Sequence, residues 1–192
     1  SYLYAYGVHS LHGRALPIAQ GIKMANKNLK VIAAGGDGDG FAIGTAHTIH
    51  SMRRNIDMTY VVMDNHVYGL TKGQASPRSD LGFQTVTSPE GTIENPISAI
   101  GLALASGATF IAQTTARDIQ GAAELIRQGM EHKGFAFINI FSPCVTYNPK
   151  NTYDWFAEHI KPLAEIEGYD PSNKMHALDA LEKYDGLMTG VI

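Results

Sequence analysis

The residues best placed for chemistry are two carriers of hard oxygen, Asp37 and Asn65. Asp37 lies in a glycine run, Gly35-Gly36-Asp37-Gly38-Asp39-Gly40, and Asn65 follows it by 28 positions. Mg²⁺ takes such oxygens in octahedral geometry and commonly shares its site with bound phosphates. Gly36, Gly38 and Gly40 have no Cβ, so a diphosphate could approach the backbone closely there. A helix opening near Phe41 would aim its free N–H groups at the same place. A carboxylate alone would repel a diphosphate; a bridging Mg²⁺ reverses that sign and accounts for Asp37. The plainer alternative is a Gly/Asp-rich turn after a strand. Two rival motifs fail. A calcium loop starting at Asp37 would need an oxygen ligand where Phe41 stands, glycine at Ala42 and an acid at Thr48. No Gly-x-Gly-x-x-Gly dinucleotide fingerprint runs through Gly38 or Gly40.

Asp37 and Asn65 can act together only if the elements around them bring them together. Val31 to Ala34 reads as a short buried strand ending at the glycine run, Phe41 to Arg53 as a helix, and Met58 to Asp64 as a second strand. A helix crossing between two strands makes them parallel, and parallel strands put their carboxyl ends on one edge of the sheet. Asp37 and Asn65 would then converge. Upstream, Ala15, Ile18, Ala19, Ile22 and Ala25 fall on one helical face. Downstream, Pro96 suits the first turn of a helix running to about Ser106, and Thr109 to Gln113 reads as a strand. Asp118 is an N-cap for a helix with Ile119, Ala122, Ala123, Ile126 and Met130 on one face. Phe135 to Phe141 is another strand, and a weaker helical pattern follows Pro149. This alternation predicts an α/β fold, a mainly parallel sheet with helices on both faces, as one domain over residues 1–192. The irregular stretch from Asn65 to Asn95 is long for a loop inside a domain, and such loops are often functional. It follows a strand end, where ligands bind in open α/β sheets.

Composition narrows the partners. A chain of 192 residues, 44% of them hydrophobic, can bury one sizeable core. Charged residues make up 17%, below the usual share, so part of the surface is expected to meet a partner. A net charge of -3 gives no reason to expect nucleic acid or an anionic membrane. No apolar run is long enough to span a bilayer, and Ser1-Tyr2-Leu3-Tyr4 lacks the features that open a signal peptide; both predict a cytoplasmic protein. Cys144 is the single cysteine, so no disulfide can form within the chain.

At Asp64-Asn65-His66-Val67-Tyr68-Gly69-Leu70-Thr71-Lys72-Gly73-Gln74-Ala75-Ser76-Pro77 the chain resembles the beta subunit of 2-oxoacid:ferredoxin oxidoreductases. Tyr6-Gly7-Val8-His9-Ser10-Leu11-His12-Gly13-Arg14-Ala15, Gly36 to Phe41 and Ser142-Pro143-Cys144-Val145-Thr146 carry the same resemblance. It implies the thiamine-diphosphate-binding fold and a site shared with an alpha subunit. Asp37, the Asn65 side chain and the Val67 carbonyl would hold Mg²⁺. Gly36, Gly38, Asp39 and Gly40, with Tyr68, Gly69, Leu70 and Thr71, would line the diphosphate. Leu70 and Lys72 would face the 2-oxo acid. The Leu-Thr-Lys-Gly-Gln form is similar to that of relatives using 2-oxoglutarate, whose distal carboxylate Lys72 could pair; the alternative is a solvated loop lysine. His9 and His12 could contact the cofactor or help proton transfer, or act only through structural hydrogen bonds.

The resemblance also implies that Cys144 is one ligand of a four-iron–four-sulfur cluster, which normally takes four thiolates. The other three would lie in an N-terminal cysteine-rich segment, so the sequence reads as a truncated beta subunit whose cluster is absent from the fragment. The implied reaction is oxidative decarboxylation of a 2-oxo acid to its acyl-coenzyme A, with electrons passing to ferredoxin. A non-oxidative thiamine-diphosphate decarboxylase or acetolactate-synthase-like domain shares Gly-Asp-Gly and Asn but not the Leu-Thr-Lys-Gly-Gln segment. A third reading is a non-catalytic docking subunit that keeps the fold. His47 and His50 share a helical face, but no third ligand stands out, so they read as packing or surface residues.

Overall fold

In the computed structural model, which describes residues 4–192, the apolar runs become the middle of a six-stranded sheet. Helix α1 (Ala15–Ala25) leads to strand β1 (Ile32–Gly36). A π-helical turn (Asp39–Ile43) and α2 (Thr45–Arg54) cross to β2 (Met58–Asp64). A small hairpin of β3 (Val67–Tyr68) and β4 (Gln74–Ala75) opens the long loop. Then come α3 (Ala99–Ser106), β5 (Phe110–Thr115), α4 (Ile119–Glu131) and β6 (Phe135–Phe141). The chain ends with α5 (Tyr153–His159), β7 (Lys161–Pro162), α6 (Lys174–Lys183) and β8 (Met188–Val191). The strand order is β1-β2-β6-β5-β8-β7. The first four are parallel neighbours, β8 runs antiparallel to β5, and β7 is parallel to β8.

The connections explain the layers. From β1 to β2 and from β2 to β5 the chain moves one way across the sheet; from β5 to β6 it moves back. Right-handed crossovers therefore place α4 on the opposite face from α2 and α3. Tyr60, Val62, Phe135 and Phe137 pack on one face with Leu16, Met52, Ile100, Ala103 and Ala177 from α1, α2, α3 and α6. Val61, Ala112, Ile138 and Ile140 pack on the other with Ala122, Leu125 and Ile126 of α4. Covered on both sides, β6 is buried at every position and reads as a continuous apolar run rather than an alternation.

The expected α/β sheet with helices on both faces is present, and two strands begin and end where expected, Met58–Asp64 and Phe135–Phe141. Several details differ. The first strand runs Ile32–Gly36 and is not buried throughout: it is an edge strand with one neighbour, and Ile32 and Ala34 stay exposed. The stripe buried on α1 is Leu16, Ala19, Gln20 and Lys23, while Ile18 and Ala25 face outward. Polar anchors fix that rotation. Gln20 donates to Ser51 Oγ at 2.6 Å, and Lys23 reaches Asp57 at 3.2 Å and the Leu29 carbonyl at 2.8 Å.

Asp118 caps α4, its carboxylate accepting the Gly121 N–H at 2.8 Å. The packed side of α4 nevertheless runs through Ala122, Leu125, Ile126 and Gly129, leaving Ile119 and Ala123 exposed. A Cβ at Gly129 would lie 3.0 Å from Ile138 and 3.2 Å from Ala136 and Thr59, so this close approach sets the helix rotation. Helix α3 starts after Pro96, at Ala99, because Ser98 accepts the Gly101 N–H at 3.1 Å and supplies the cap. The antiparallel β8 has no counterpart among the strands expected from the sequence. Among the described residues no helix is long and apolar enough to cross a membrane. The expectation for Ser1 to Leu3 lies outside them.

Candidate active site

β1 and β2 pair in register, Gly36 beside Met63, so the residues that follow this pair, Asp37 and Asp64, leave the sheet side by side. Asn65 follows at once. The Asn65 N–H approaches the Asp37 carboxylate closely enough to stabilise its charge. Asn65 Oδ1 accepts the Val67 N–H at 3.0 Å, and the intervening His66 takes a left-handed backbone with φ 59°. That sharp turn brings Asn65 and Val67 together. The Asn65 carbonyl is held by Asn148 Nδ2 at 3.2 Å.

The helical turn opens at Asp39 rather than at Phe41, so its leading N–H groups belong to the Gly-Asp-Gly segment itself. Two of the glycines serve packing more than ligand approach. A Cβ at Gly38 would fall 2.1 Å from the Tyr68 ring, and one at Gly40 would fall 2.4 Å from the Tyr60 hydroxyl. Gly36 differs: a Cβ there would meet nothing nearer than the Met63 carbonyl at 3.9 Å. Tyr68 closes over the turn, donating to the Gly38 carbonyl at 3.2 Å. Burial first, then the charges of Asp39 and Asp37, pushes the Tyr60 phenol up, so it stays protonated beside them.

Asp37 is 2% exposed. Its burial, with the neighbouring charge of Asp64, pushes it up to about 6, against the opposing Ser76 hydroxyl, His66 and the Asn65 N–H. Burial also works against ionised Asp64, but Arg78 and His66 outweigh it and hold that carboxyl far below the usual range. Arg78 Nε donates to Asp64 Oδ2 at 2.9 Å, His66 Nε2 lies 3.4 Å from Oδ1, and Asn139 Nδ2 donates at 3.0 Å. Asp37, by contrast, forms no ion pair among the described residues, and the nearby His66 only partly offsets its burial. A buried carboxylate beside an amide oxygen, with no sulfur or imidazole ligand, suits a hard divalent ion. Among the described residues no group of three His, Cys, Asp or Glu side chains could hold a metal.

The remaining expected residues take distinct places. Asp39 directs its carboxylate to the Gly13 N–H at 2.6 Å and to His12 Nδ1 at 2.9 Å. His12 thereby reaches the glycine turn and lies 6.2 Å from the Tyr68 ring, whereas His9 stays exposed upstream. Gly69, Leu70, Thr71 and Lys72 form the tip between β3 and β4, closed by the Lys72 N–H on the Gly69 carbonyl at 3.1 Å and the Gly73 N–H on the Tyr68 carbonyl at 2.8 Å. Leu70 and Lys72 both point to solvent. Cys144 follows β6 and packs beside Gly69, where a Cβ would lie 3.5 Å from its Sγ. Sequence reasoning passed over Tyr60, Ser76, Arg78 and Asn148. Their spacing has no periodicity that points at the site, although Ser76 lies inside the motif around Lys72.

Comparison with known proteins assigns this geometry first to a class. Residues 1–140 match the family model described as "Thiamine pyrophosphate enzyme, C-terminal TPP binding domain". Residues 144–192 match the family model for the C-terminal part of the pyruvate ferredoxin oxidoreductase beta chain. The 2-oxoacid:ferredoxin oxidoreductase subunit beta of Saccharolobus solfataricus is 47% identical over 169 residues, 88% of this chain and 55% of that one. The 2-oxoglutarate synthase subunit KorB of Methanocaldococcus jannaschii is 40% identical over 192 residues, 100% of this chain and 68% of that one. A solved structure of 2-oxoglutarate:ferredoxin oxidoreductase from Magnetococcus marinus, with 2-oxoglutarate, coenzyme A and succinyl-CoA bound, superposes with a TM-score of 0.94 at 44% identity. That match covers 98% of this chain and 64% of the other. The chain belongs to the beta-subunit family of 2-oxoacid:ferredoxin oxidoreductases. It spans about half the length of several of the curated relatives it matches.

Proposed function

We propose that the chain is the diphosphate- and Mg²⁺-binding part of an enzyme that oxidatively decarboxylates a 2-oxo acid, 2-oxoglutarate by preference, in complex with an alpha subunit. The observation that carries this reading is the meeting of Asp37 and Asn65 at adjacent strand ends, with the Asp37 carboxylate buried and without an ion pair among the described residues. Asp37, Asn65 Oδ1 and the Val67 carbonyl would hold Mg²⁺. The N–H groups of the Gly38 to Gly40 turn and of the Gly69 to Thr71 tip would take the diphosphate. Bound there, thiamine diphosphate supplies the carbon nucleophile and the electron sink for decarboxylation.

The chain's own residues orient and select. Leu70 and Lys72, exposed on the tip, would face the substrate, the ammonium pairing the distal carboxylate of 2-oxoglutarate. Cys144, beside Gly69, would give one thiolate to an iron–sulfur cluster, placing that cluster next to the diphosphate loop for electrons bound for ferredoxin. As the chain has one cysteine, three cluster ligands must come from outside these 192 residues. Tyr4, Tyr6, Val8 and Leu11 are exposed along the segment before α1 and fit an apolar contact with the alpha subunit. The co-reactants, coenzyme A and ferredoxin, go with a cytoplasmic location.

The test is reduction of a viologen dye by the complete alpha–beta complex, purified without oxygen. Reduction is expected to need 2-oxoglutarate and coenzyme A and to vanish in Asp37→Ala. Lys72→Gly is expected to lower kcat/KM for 2-oxoglutarate about tenfold or more, the worth of a hydrogen bond to a charged group, and to spare pyruvate. Release of CO₂ without dye reduction, in a complex shown to hold iron, would replace this reading with a non-oxidative decarboxylase.

A further inference from the structure

The segment Ser76-Pro77-Arg78-Ser79 lies behind the proposed metal ligands and is tied to both strand ends at once. The Ser76 hydroxyl donates to Asp37 Oδ2. Ser76 Oγ itself accepts the Arg78 N–H at 3.2 Å. The Ser76 N–H donates to Ser79 Oγ at 2.9 Å, and the Ser79 hydroxyl donates to the His66 carbonyl at 2.6 Å. Arg78 reaches Asp64 at 2.9 Å and also donates to the Ile97 carbonyl. Ser76 and Ser79 are 7% and 3% exposed, so water has little chance to compete for these hydroxyls.

The directions of these bonds follow from counting protons. A hydroxyl has one proton to give. Ser76 Oγ already accepts from Arg78, and its proton goes to Asp37. Ser79 Oγ accepts from Ser76, and its proton goes to His66. Each hydroxyl is thus donor and acceptor at once and has little rotational freedom. A carboxylate with one oxygen held by such a donor has its plane fixed, and its second oxygen keeps free lone pairs. His66 lies between Asn65 and Val67, in the left-handed turn that gathers those two residues.

We infer that Ser76 is a positioning residue for the metal site: it aims the Asp37 carboxylate so that one oxygen faces the cation, while Ser79 locks the His66 turn that presents Asn65 and Val67. This rests on the proposed metal site. The hydroxyl contributes through Asp37 and touches neither substrate nor cofactor. Partners of this kind typically change metal affinity about ten- to a hundredfold when removed.

The test is Mn²⁺ binding to the complete alpha–beta complex in saturating thiamine diphosphate, followed by electron paramagnetic resonance, with the thermal midpoint of the metal-free protein measured in parallel. Ser76→Ala is expected to raise the Mn²⁺ Kd about tenfold or more. Ser76→Thr, which keeps the hydroxyl, is expected to restore affinity to near the wild-type value. Ser76→Cys keeps the shape with only a weak donor and is expected to bind as poorly as Ser76→Ala; it carries the comparison if the alanine variant fails to assemble. Wild-type affinity in Ser76→Ala or Ser76→Cys would overturn the inference. So would a loss in Ser76→Thr equal to that in Ser76→Ala, since shape and not the hydroxyl would then matter. A wild-type complex that binds no Mn²⁺ would instead overturn the metal site itself and this inference with it.

Discussion

Asp37 and Asp64 end neighbouring parallel strands, are buried to the same depth and are managed in opposite ways. Around Asp64, a guanidinium, an imidazole and an amide meet one carboxylate, and its charge is stabilised in spite of burial. Around Asp37 there are a serine hydroxyl, a backbone N–H and the same imidazole at a distance, but no ion pair among the described residues, and burial drives its carboxyl up. The first arrangement meets Asp64 Oδ2 with two donors inside the protein, while Oδ1 faces the His66 imidazole at 3.4 Å without a formed hydrogen bond. On the proposed reading, the second would be completed by a Mg²⁺ ion. On that reading, two like residues at one sheet edge divide into a carboxylate neutralised within the protein and one that would take the cation, and the difference lies in their partners.

The comparison can be broken first at Asp64. Arg78→Ala leaves that buried charge without its main partner and should cost about 3–5 kcal/mol of stability, read by denaturant unfolding. Asp64→Asn in the same background should recover part of the loss. If Arg78→Ala unfolds like the wild type, Asp64 is not stabilised as described.

The next effect is smaller and opposite in sign. The folded protein holds a proton on Asp37 up to about pH 6, whereas the unfolded chain releases it near 3.8, the ordinary value for an aspartate. Between those values the native state binds more protons, so metal-free stability falls as pH rises through the window, and the full cost is present above it. Asp37→Asn should therefore stabilise the metal-free protein at neutral pH by about 2–3 kcal/mol while removing the gain that the proposed Mg²⁺ site would give the wild type. Thermal melts in chelator and in Mg²⁺, at about pH 4.5 and about pH 7.5, would check both signs. A variant that melts below the wild type in chelator at neutral pH would count against the assignment.

The smallest effect belongs to the third carboxylate, Asp39, whose partner His12 has a side chain more than half exposed. His12→Gln should cost less than about 1 kcal/mol, because water screens such a pair. A larger loss in the melting curve would show that the Gly13 turn depends on this contact for its seat on the glycine run.

Much of this site was legible in the residues. The run Met58–Asp64 and the glycine run around Asp37 implied a parallel pair with Asn65 at the same edge, because one crossover helix leaves no other arrangement. The apolar run Phe135–Phe141 announced a strand buried on both faces. The faces of α1 and α4 were misread, because helical spacing fits several rotations, and the choice fell to Gln20 on Ser51 and to the contact at Gly129. The glycines were read as room for a ligand, and Gly38 and Gly40 proved to be room for Tyr68 and Tyr60.

The sequence by itself determined which chemistry was available: hard oxygens, a glycine turn, a loop lysine and one thiol, in an order that parallel strands could assemble. Only the tertiary structure decided which carboxylate is ion-paired. Asp37 and Asp64 are both aspartates at strand ends, and their difference is made by Arg78 and Ser76, which a loop without periodicity returns to the sheet edge. Local pattern fixes an element's type through its own backbone and side-chain spacing. The charge state of a buried group depends on what distant segments place within a few ångströms of it, and no pattern along the chain encodes that distance.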